Sequence, residues 1–342
     1  MNLGGNMKKK VTMQDIADKL GISKNSVSQA LTGKSGVSAD TKRLVEKTAA
    51  ELGYVYKGKK TVSKEKRNLT IGLIATEFAF SLKSFFGEIF LSIEQNAINN
   101  KVDLLIQSIS ESSKEHLILP SFIEEKRVDG IIIVSHISLE YINKVISTGI
   151  PTVLIDHHHP LIQADAILTN NRFGAYTATK HLIDLGHRDI AFVGNIDFSP
   201  SYYERMEGYL LALKDGNITR NEEVMFLHIE ENSAAIDQTI KSLTNVPSAW
   251  LCVNDGYGFM VSSSLKSIGR KIPDDVSVCS FDNGQLSQLS DPPITTMAMD
   301  LKLFGSYAFK QLLWRIDHPN EPMQEILLPA NLIQRHSTSE CK

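Results

Sequence analysis

The chain has 342 residues, 42% of them hydrophobic, which is enough for two or three folding units with buried cores. Its net charge of −3 conceals a basic head on an acidic body. Residues 1–67 carry 15 Lys/Arg against 6 Asp/Glu, and the rest holds the other 21 of 36 basic and 33 of 39 acidic residues, so a polyanion is the expected partner of the head alone. The cysteines Cys252, Cys279 and Cys341 lack C-x-x-C spacing, and there is neither a secretory leader pattern near Met1 nor an apolar run long enough for a bilayer. A disulfide framework and a membrane span are thereby excluded, and a cytoplasmic protein is expected.

Residues 11–53 read as three helices. Thr12 caps the first with Asp15 three residues on, and Ile16, Ala17 and Leu20 give it an apolar stripe that Gly21 stops. Ser23 caps the second, in which Val27, Ala30 and Leu31 face inward and the remaining positions are crowded with Ser, Asn, Gln and Lys. Such hydroxyls and amides compete with helix backbone, so their density on one short helix suits a surface that reads something. Ser38 caps the third, with Leu44, Val45, Ala49 and Leu52 as its stripe. Two short helices joined at a glycine, with a third across them, make a helix-turn-helix. The stretch "KGKKTVSKEKRN", Lys57–Asn68, has one apolar residue, Val62, and reads as a linker.

From Leu69 onward the pattern changes. "LTIGLIA", "VDLLIQSI", "DGIIIVS" and "IPTVLID" are short Ile/Leu/Val runs separated by helical stretches at Ser84–Asn99, His116–Glu125 and Leu139–Ser147. The pattern restarts after Asn170. Helices at Gly174–Leu185, Tyr202–Asp215 and Gly258–Ile268 alternate there with "DIAFVG", "AWLCVN" and "VSVCSFD". Continuous apolar strands between helices predict parallel sheets covered on both faces, here in two successive lobes. "DPPITTM" reads as a crossover loop. A helix over Leu303–Ile316 and strands near Glu325–Pro329 and Leu332–Arg335 close the chain.

These stretches resemble the lactose-repressor (LacI/GalR) family of bacterial transcription regulators, from the head "VTMQDIADKLGISKNSVSQALTGKSGVSADTKRLVEKTAAELGYV" through "KHLIDLGHRDIAFVG", "RMEGYLLAL", "VNDGYGFMVSSSLKSIGRKIPDDVSVCSFDN", "DPPITTM" and "LPANLIQRHST", in the family's order. The resemblance implies an α/β chain: a three-helix helix-turn-helix head at 11–54, a basic hinge at 55–68, and a bilobed periplasmic-binding-protein-like body of two doubly wound parallel sheets at 69–338. Lobe one takes about 69–169 and 300–328, lobe two about 170–299 and 329–338. It further implies a homodimer on double-stranded operator DNA, released or engaged by a small molecule between the lobes, with no membrane, cofactor or catalytic role.

Carried over residue by residue, Lys24, Asn25 and Gln29 face the major groove, where Asn and Gln suit adenine and Lys suits guanine. Many relatives have Arg at the position of Gln29, so the expected preference shifts from guanine toward adenine. Thr12, Ser23 and Ser28 serve capping or phosphate contact, and Tyr54 lies by the backbone or packs a helix end. The hinge departs from the family's Y-x-P-N-x-x-A-x-x-L: Tyr56, Lys57, Lys60 and Ser63 stand where Pro, Asn, Ala and Leu are usual. The minor-groove wedge is therefore missing unless Val62 substitutes, and Lys57, Lys59 and Lys60, with Lys64 and Lys66, are expected to hold phosphates instead. In the body, Phe85, Phe86, Asp156, Ser201, Arg205, Asn254 and Asp282 match ligand positions, with Asp255 holding a turn.

Paired Asp, Asn and Arg suit vicinal hydroxyls, so a sugar or sugar derivative is the expected effector, and a repressor of carbohydrate-utilisation genes the expected role. The aromatic pair leaves open a purine- or protein-responsive regulator in which the effector strengthens DNA binding. "DHHHP", Asp156–Pro160, invites a metal reading, but three successive histidines cannot all face one way, and a polar loop at the cleft mouth is preferred. An enzyme is disfavoured: there is no G-x-S-x-G, no phosphate loop and no metal-ligand spacing.

Overall fold

The computed structural model describes residues 11–32, 36–52, 54, 68–77, 79, 85–134 and 137–342. Lys57, Lys59, Lys60 and the rest of the hinge at 55–67 lie outside the described residues, as does Gly53. The chain divides into two compact units, the first ending at Arg67 and the second running Asn68–Lys342.

In the first unit, α1 (Met13–Leu20) opens with a reciprocal cap. Asp15 Oδ2 accepts the Thr12 N–H at 2.6 Å, and Thr12 Oγ1 accepts the Asp15 N–H at 3.4 Å. Gly21 ends the helix at φ 63°, a left-handed conformation that costs glycine little. In α2 (Lys24–Thr32) the first turn is held by Ser23 Oγ, which accepts the Ser26 N–H at 3.0 Å. Ser38 caps α3 (Ala39–Glu51) by accepting the Thr41 N–H at 3.2 Å. Ile16, Ala17, Val27, Ala30, Val45 and Ala49 meet in one small core, against which Tyr54 and Leu52 pack. A buried aliphatic side chain of this size is worth about 1.5–3 kcal/mol, so a unit this small depends on each.

The second unit begins with β1 (Thr70–Thr76), followed by α4 (Phe86–Asn99), β2 (Asp103–Ile109), α5 (Glu111–Glu115), α6 (Ser121–Glu124), β3 (Gly130–Val134), α7 (Leu139–Ile146), β4 (Thr152–Ile155) and β5 (Asp165–Thr169). It continues with α8 (Asn171–Asp184), β6 (Ile190–Val193), α9 (Pro200–Asp215), β7 (Met225–Phe226), α10 (Ser233–Ser242), β8 (Ala249–Cys252), α11 (Asp255–Ser267), β9 (Ser277–Phe281), α12 (Gln285–Leu289) and β10 (Thr295–Met299). The last elements are α13 (Leu301–Asp317), β11 (Glu325–Leu328) and β12 (Ala330–Ile333). One sheet has the order β11-β5-β4-β3-β1-β2, all parallel; the other has the order β12-β10-β9-β8-β6-β7, parallel except for β12 beside β10. The chain passes between the sheets at Asn170, Asp300 and Pro329.

Several elements depart from expectation. Of the helix expected over His116–Glu125 only the stretch Ser121–Glu124 is helical: Ser110 starts α5 earlier and that helix ends at Glu115, Leu117 turns at φ 52°, and Pro120 can only open a helix. "DPPITTM" is only in part a loop. Its prolines lead in, and the β-branched Thr295 and Thr296 begin the buried strand β10, with the crossover following at Asp300. Helices α8, α9 and α11 start three, two and three residues earlier than read, each at an amide or hydroxyl cap: Asn170, Ser199 with Pro200 at N1, and Asn254.

The two lobes share a continuous core that runs from Ile71, Ile89 and Ile132 to Phe192, Trp250 and Phe281. Helices α8 and α9 pack at the closest approach glycine allows: a Cβ on Gly208 would stand 2.0 Å from the Arg172 carbonyl oxygen. Beneath the crossovers, buried Asp165 on β5 takes two hydrogen bonds from Arg315 of α13, at 2.7 and 2.9 Å, and one from Gln311 at 3.0 Å. That pair anchors the helix returning from lobe two, and each charge is satisfied, as burial requires.

Candidate functional site

In the head, the inward residues of α2 leave its other face to solvent. Lys24 and Asn25 at its start are exposed, and Ser28 and Gln29 are half-buried one turn on. The Gln29 amide lies against Gly36, whose added Cβ would stand 2.9 Å from Gln29 Oε1. The four side chains therefore occupy one end and one face of a helix fixed by Val27 and Ala30. Thr12 and Ser23 are engaged as helix caps, and Tyr54 is half-buried at the edge of the core.

In the body, the chemistry gathers at the carboxyl ends of strands, where open α/β sheets bind ligands. Asp156 follows β4 at φ 57°, and Asp282 follows β9 at φ 101°. The left-handed region is open to Asp at modest cost, whereas φ 101° is strained even for Asp. Both carboxyls turn toward α9. Ser201, near its start, donates its hydroxyl hydrogen to Asp156 at 3.0 Å, a bond from lobe two to lobe one. Arg205, one turn further, is 3% exposed and in contact on every side. Its Nε donates to Asn171 Oδ1 at 2.9 Å and its Nη1 to the Val253 carbonyl at 2.5 Å; Nη1 also lies 3.2 Å from Asp282 Oδ1, and the guanidinium stacks 3.8 Å above the Phe281 ring. The Arg205–Asp282 pair lies outside hydrogen-bond geometry, so Asp282 Oδ1 is a buried acceptor without a donor among the described residues.

Burial pushes the Asp156 carboxyl up to about 6 against the pull of Arg205 and the Ser201 hydroxyl. Burial likewise pushes Asp282 up to about 6 against Arg205, with the charge of Asp156 adding to the rise. Asn254 caps α11 by accepting the Tyr257 N–H at 2.9 Å, and its amide nitrogen donates to the Tyr202 hydroxyl at 2.7 Å and to Glu231 at 3.0 Å. Tyr202 in turn lies under Arg205, 5.6 Å from guanidinium to ring centre. Asp156, Ser201, Arg205, Asp282 and Asn254 thus form one polar cluster between the lobes. Such a cluster offers paired acceptors and a planar donor to a small polar molecule.

Phe85 and Phe86 behave differently. Their rings meet edge to face at 4.8 Å; Phe86 is 7% exposed within the core, and Phe85 packs half-buried against it. Asp255 holds a turn: its carboxylate accepts from Ser280 and Gly284 at 2.5 Å and from Thr296 at 2.8 Å, tying α11 to β9 and β10.

The reading of the sequence missed Asn171, Tyr202, Glu204 and Glu231. Glu204 stands beside Arg205 and accepts from Asn171 at 2.9 Å, and it also lies 2.9 Å from the His158 ring. The "DHHHP" loop sends its histidines to separate partners: His158 bridges two glutamates, and His159 Nδ1 accepts the Leu161 N–H at 3.1 Å. No grouping of three His, Cys, Asp or Glu able to hold a metal ion occurs among the described residues, nor does a helix long and apolar enough to cross a membrane. A cavity of about 390 Å³, lined by His228, Glu230 and Gln238, shares no residue with the interlobe cluster.

Comparison with known proteins places these features. Residues 12–57 match the bacterial regulatory proteins of the lacI family, and residues 179–338 match a periplasmic binding protein-like domain. The HTH-type transcriptional repressor PurR of Vibrio vulnificus is 30% identical over 336 residues, covering 96% of this chain and 99% of that protein. A LacI family transcriptional regulator from Enterococcus faecium, solved with bound ribose, is 26% identical with a TM-score of 0.67 over 80% of this chain and 100% of that one. The fold is also that of the lac repressor dimer bound to operator and an anti-inducer, with a TM-score of 0.68, 24% identity, and coverage of 97% of this chain and 100% of that one. The chain belongs to the lacI family of bacterial regulatory proteins.

Proposed function

We propose that this protein is a cytoplasmic repressor whose dimer binds a pseudo-palindromic operator through α2 and releases it when a sugar or sugar derivative binds between the lobes. Lys24, Asn25 and Gln29 read base edges. Thr12, Ser23, Ser28, Tyr54 and the hinge residues Lys57, Lys59 and Lys60 contact the sugar-phosphate backbone. Asp156, Ser201, Arg205, Asn254 and Asp282 hold the effector. A two-fold dimer matches a two-fold site. The effector acts by binding one arrangement of the lobes more tightly than another, and a ligand indifferent to them would shift nothing.

The observation that carries the reading is Arg205, buried between Asp282 and Asn171 and adjoining Asp156, with a carboxylate oxygen of Asp282 left without a hydrogen-bond donor. Vicinal hydroxyls supply the donors that such acceptors need. The ribose bound to the Enterococcus faecium relative supports a sugar. The position of Phe86 in the core favours it over a purine, which wants an open stacking face.

A thermal-shift screen of the full chain with aldoses, disaccharides and nucleobases tests the choice. A sugar that raises the melting temperature, with Arg205→Ala insensitive to it, supports the reading. Stabilisation by a nucleobase alone replaces it with the purine-responsive one.

A further inference from the structure

We propose that His158 is a charged latch between the lobes, holding Glu325 of one and Glu204 of the other through its two ring nitrogens and so setting the position of Arg205. The latch stands on geometry outside the effector cluster. His158 belongs to the loop after β4, Glu325 to β11 of the same lobe, and Glu204 to α9 of the other. The ring nitrogens lie 3.0 Å from Glu325 Oε1 and 2.9 Å from Glu204 Oε1. From Glu204 the connection runs on without a gap. Glu204 accepts from Asn171 at 2.9 Å, and Asn171 accepts from Arg205 Nε at 2.9 Å. Asn171 is the first residue of α8, directly after the crossover at Asn170. A change in the angle between the lobes therefore stretches this chain at His158 and reaches Arg205 through two hydrogen bonds.

The chemistry requires charge. Only an imidazolium donates from both nitrogens; a neutral ring donates from one and turns a lone pair toward the other carboxylate. The hydrogen bond to Glu204 is the largest influence raising His158 to about 9, opposed by partial burial and reinforced by Glu325. The groups that bear on the ring are Glu204 with Arg205 behind it on α9, Glu325 on β11, and Asp156 within the loop itself. His158 thus stays charged through the neutral range, and the latch is lost as pH rises through about 9. A group whose folded value is raised stabilises fully below its unfolded value near 6.5 and progressively less above it. The latch itself needs neither DNA nor effector; only its bearing on regulation rests on the reading above.

Hydrogen exchange of the full chain, free of DNA and sugar, tests it between pH 6 and 10 with rates corrected for intrinsic pH dependence. The amides of Asn171 and Ser201–Arg205 are followed, with β3 of the same molecule as reference. In the parent, opening at these amides is expected to be flat below about pH 6.5, to rise on the order of tenfold or more between there and about 9, the worth of one charge-assisted hydrogen bond, and to level off above it. His158→Gln opens to that extent already at pH 7 and shows no further step. His158→Lys, which keeps the charge and three donors, stays near the parent at pH 7 and shows no such rise toward 9. The proposal is overturned by equal protection of the parent at pH 7 and 10, by a rise that β3 shares equally, or by His158→Gln matching the parent throughout.

Discussion

Ser201 gives its hydroxyl hydrogen to Asp156 across 3.0 Å, joining the first turn of a lobe-two helix to the end of a lobe-one strand. Both partners are buried, so the bond is shielded from competing water. A hydroxyl that already satisfies a carboxylate can be displaced by a ligand hydroxyl at little net cost. The interlobe bond therefore occupies the carboxylate proposed above as an acceptor for the effector.

Arg205→Lys is expected to lose effector binding by about 1.5–3 kcal/mol while keeping the charge, because an ammonium cannot donate along the guanidinium plane to Asn171 and Val253 and also stack on Phe281. Arg205→Ala should in addition lower stability by about 1–3 kcal/mol, since it leaves the half-buried Asp282 carboxylate without its ion-pair partner. Calorimetric titration with the effector and a denaturant melt separate the two losses. An Arg205→Lys chain that binds like the parent removes Arg205 from the site.

Effector affinity should fall as pH drops through about 6, where Asp156 and Asp282 take up protons and cease to be charged acceptors. For stability the sign is opposite. Their folded values lie above 3.8, so their contribution is greatest below that and is lost as pH rises through about 6. Titrations at pH 5 and 7.5 check the first statement, and Asp282→Asn should flatten the dependence. Equal affinity at both values would show that neither carboxylate accepts from the ligand.

Gln29→Arg should move operator preference toward guanine at one base pair per half-site, by about 1–3 kcal/mol. Selection from randomised duplexes with both proteins measures it. An unchanged preference means the Gln29 amide keeps to Gly36 rather than facing bases.

Gly208→Ala should destabilise the body by about 1–3 kcal/mol or more, because the added carbon would lie 2.0 Å from the Arg172 carbonyl oxygen and only a shift of α8 from α9 relieves it. Arg205 rides on α9, so effector affinity should fall with it. A melting temperature equal to the parent's would mean the helices separate freely.

Much of this was legible in the sequence because its signals are local. Thr12 with Asp15, Gly21 at positive φ and the capping serines declare the head, and runs such as "GIIIV" declare strands that are buried throughout. Helix starts were missed by two or three residues because the caps Asn170 and Asn254 sit at strand ends, where they read as strand or loop. Strand β7 has two residues, too few to show any period, and β10 hides behind two prolines. In the site, Asp156, Arg205 and Asp282 stood out as charges at strand ends or in a familiar motif. Glu231 and Tyr202 did not, because their roles arise from Asn254, which is 23 and 52 residues away from them in sequence. The "HHH" run drew attention as a metal motif, whereas the fold uses His158 to pair carboxylates from elements that no sequence spacing connects.

The central claim is that the head reads a specific duplex and that a sugar between the lobes controls the reading. The direct measurement is selection of duplexes from a random pool by the full chain, followed by titration of the winning sequence with and without the sugar found by thermal shift. The account predicts an inverted repeat, bound with steep salt dependence and released on the order of tenfold or more by the sugar in the parent but not in Arg205→Ala. Enrichment of no sequence, or an operator affinity untouched by every stabilising sugar, would contradict it.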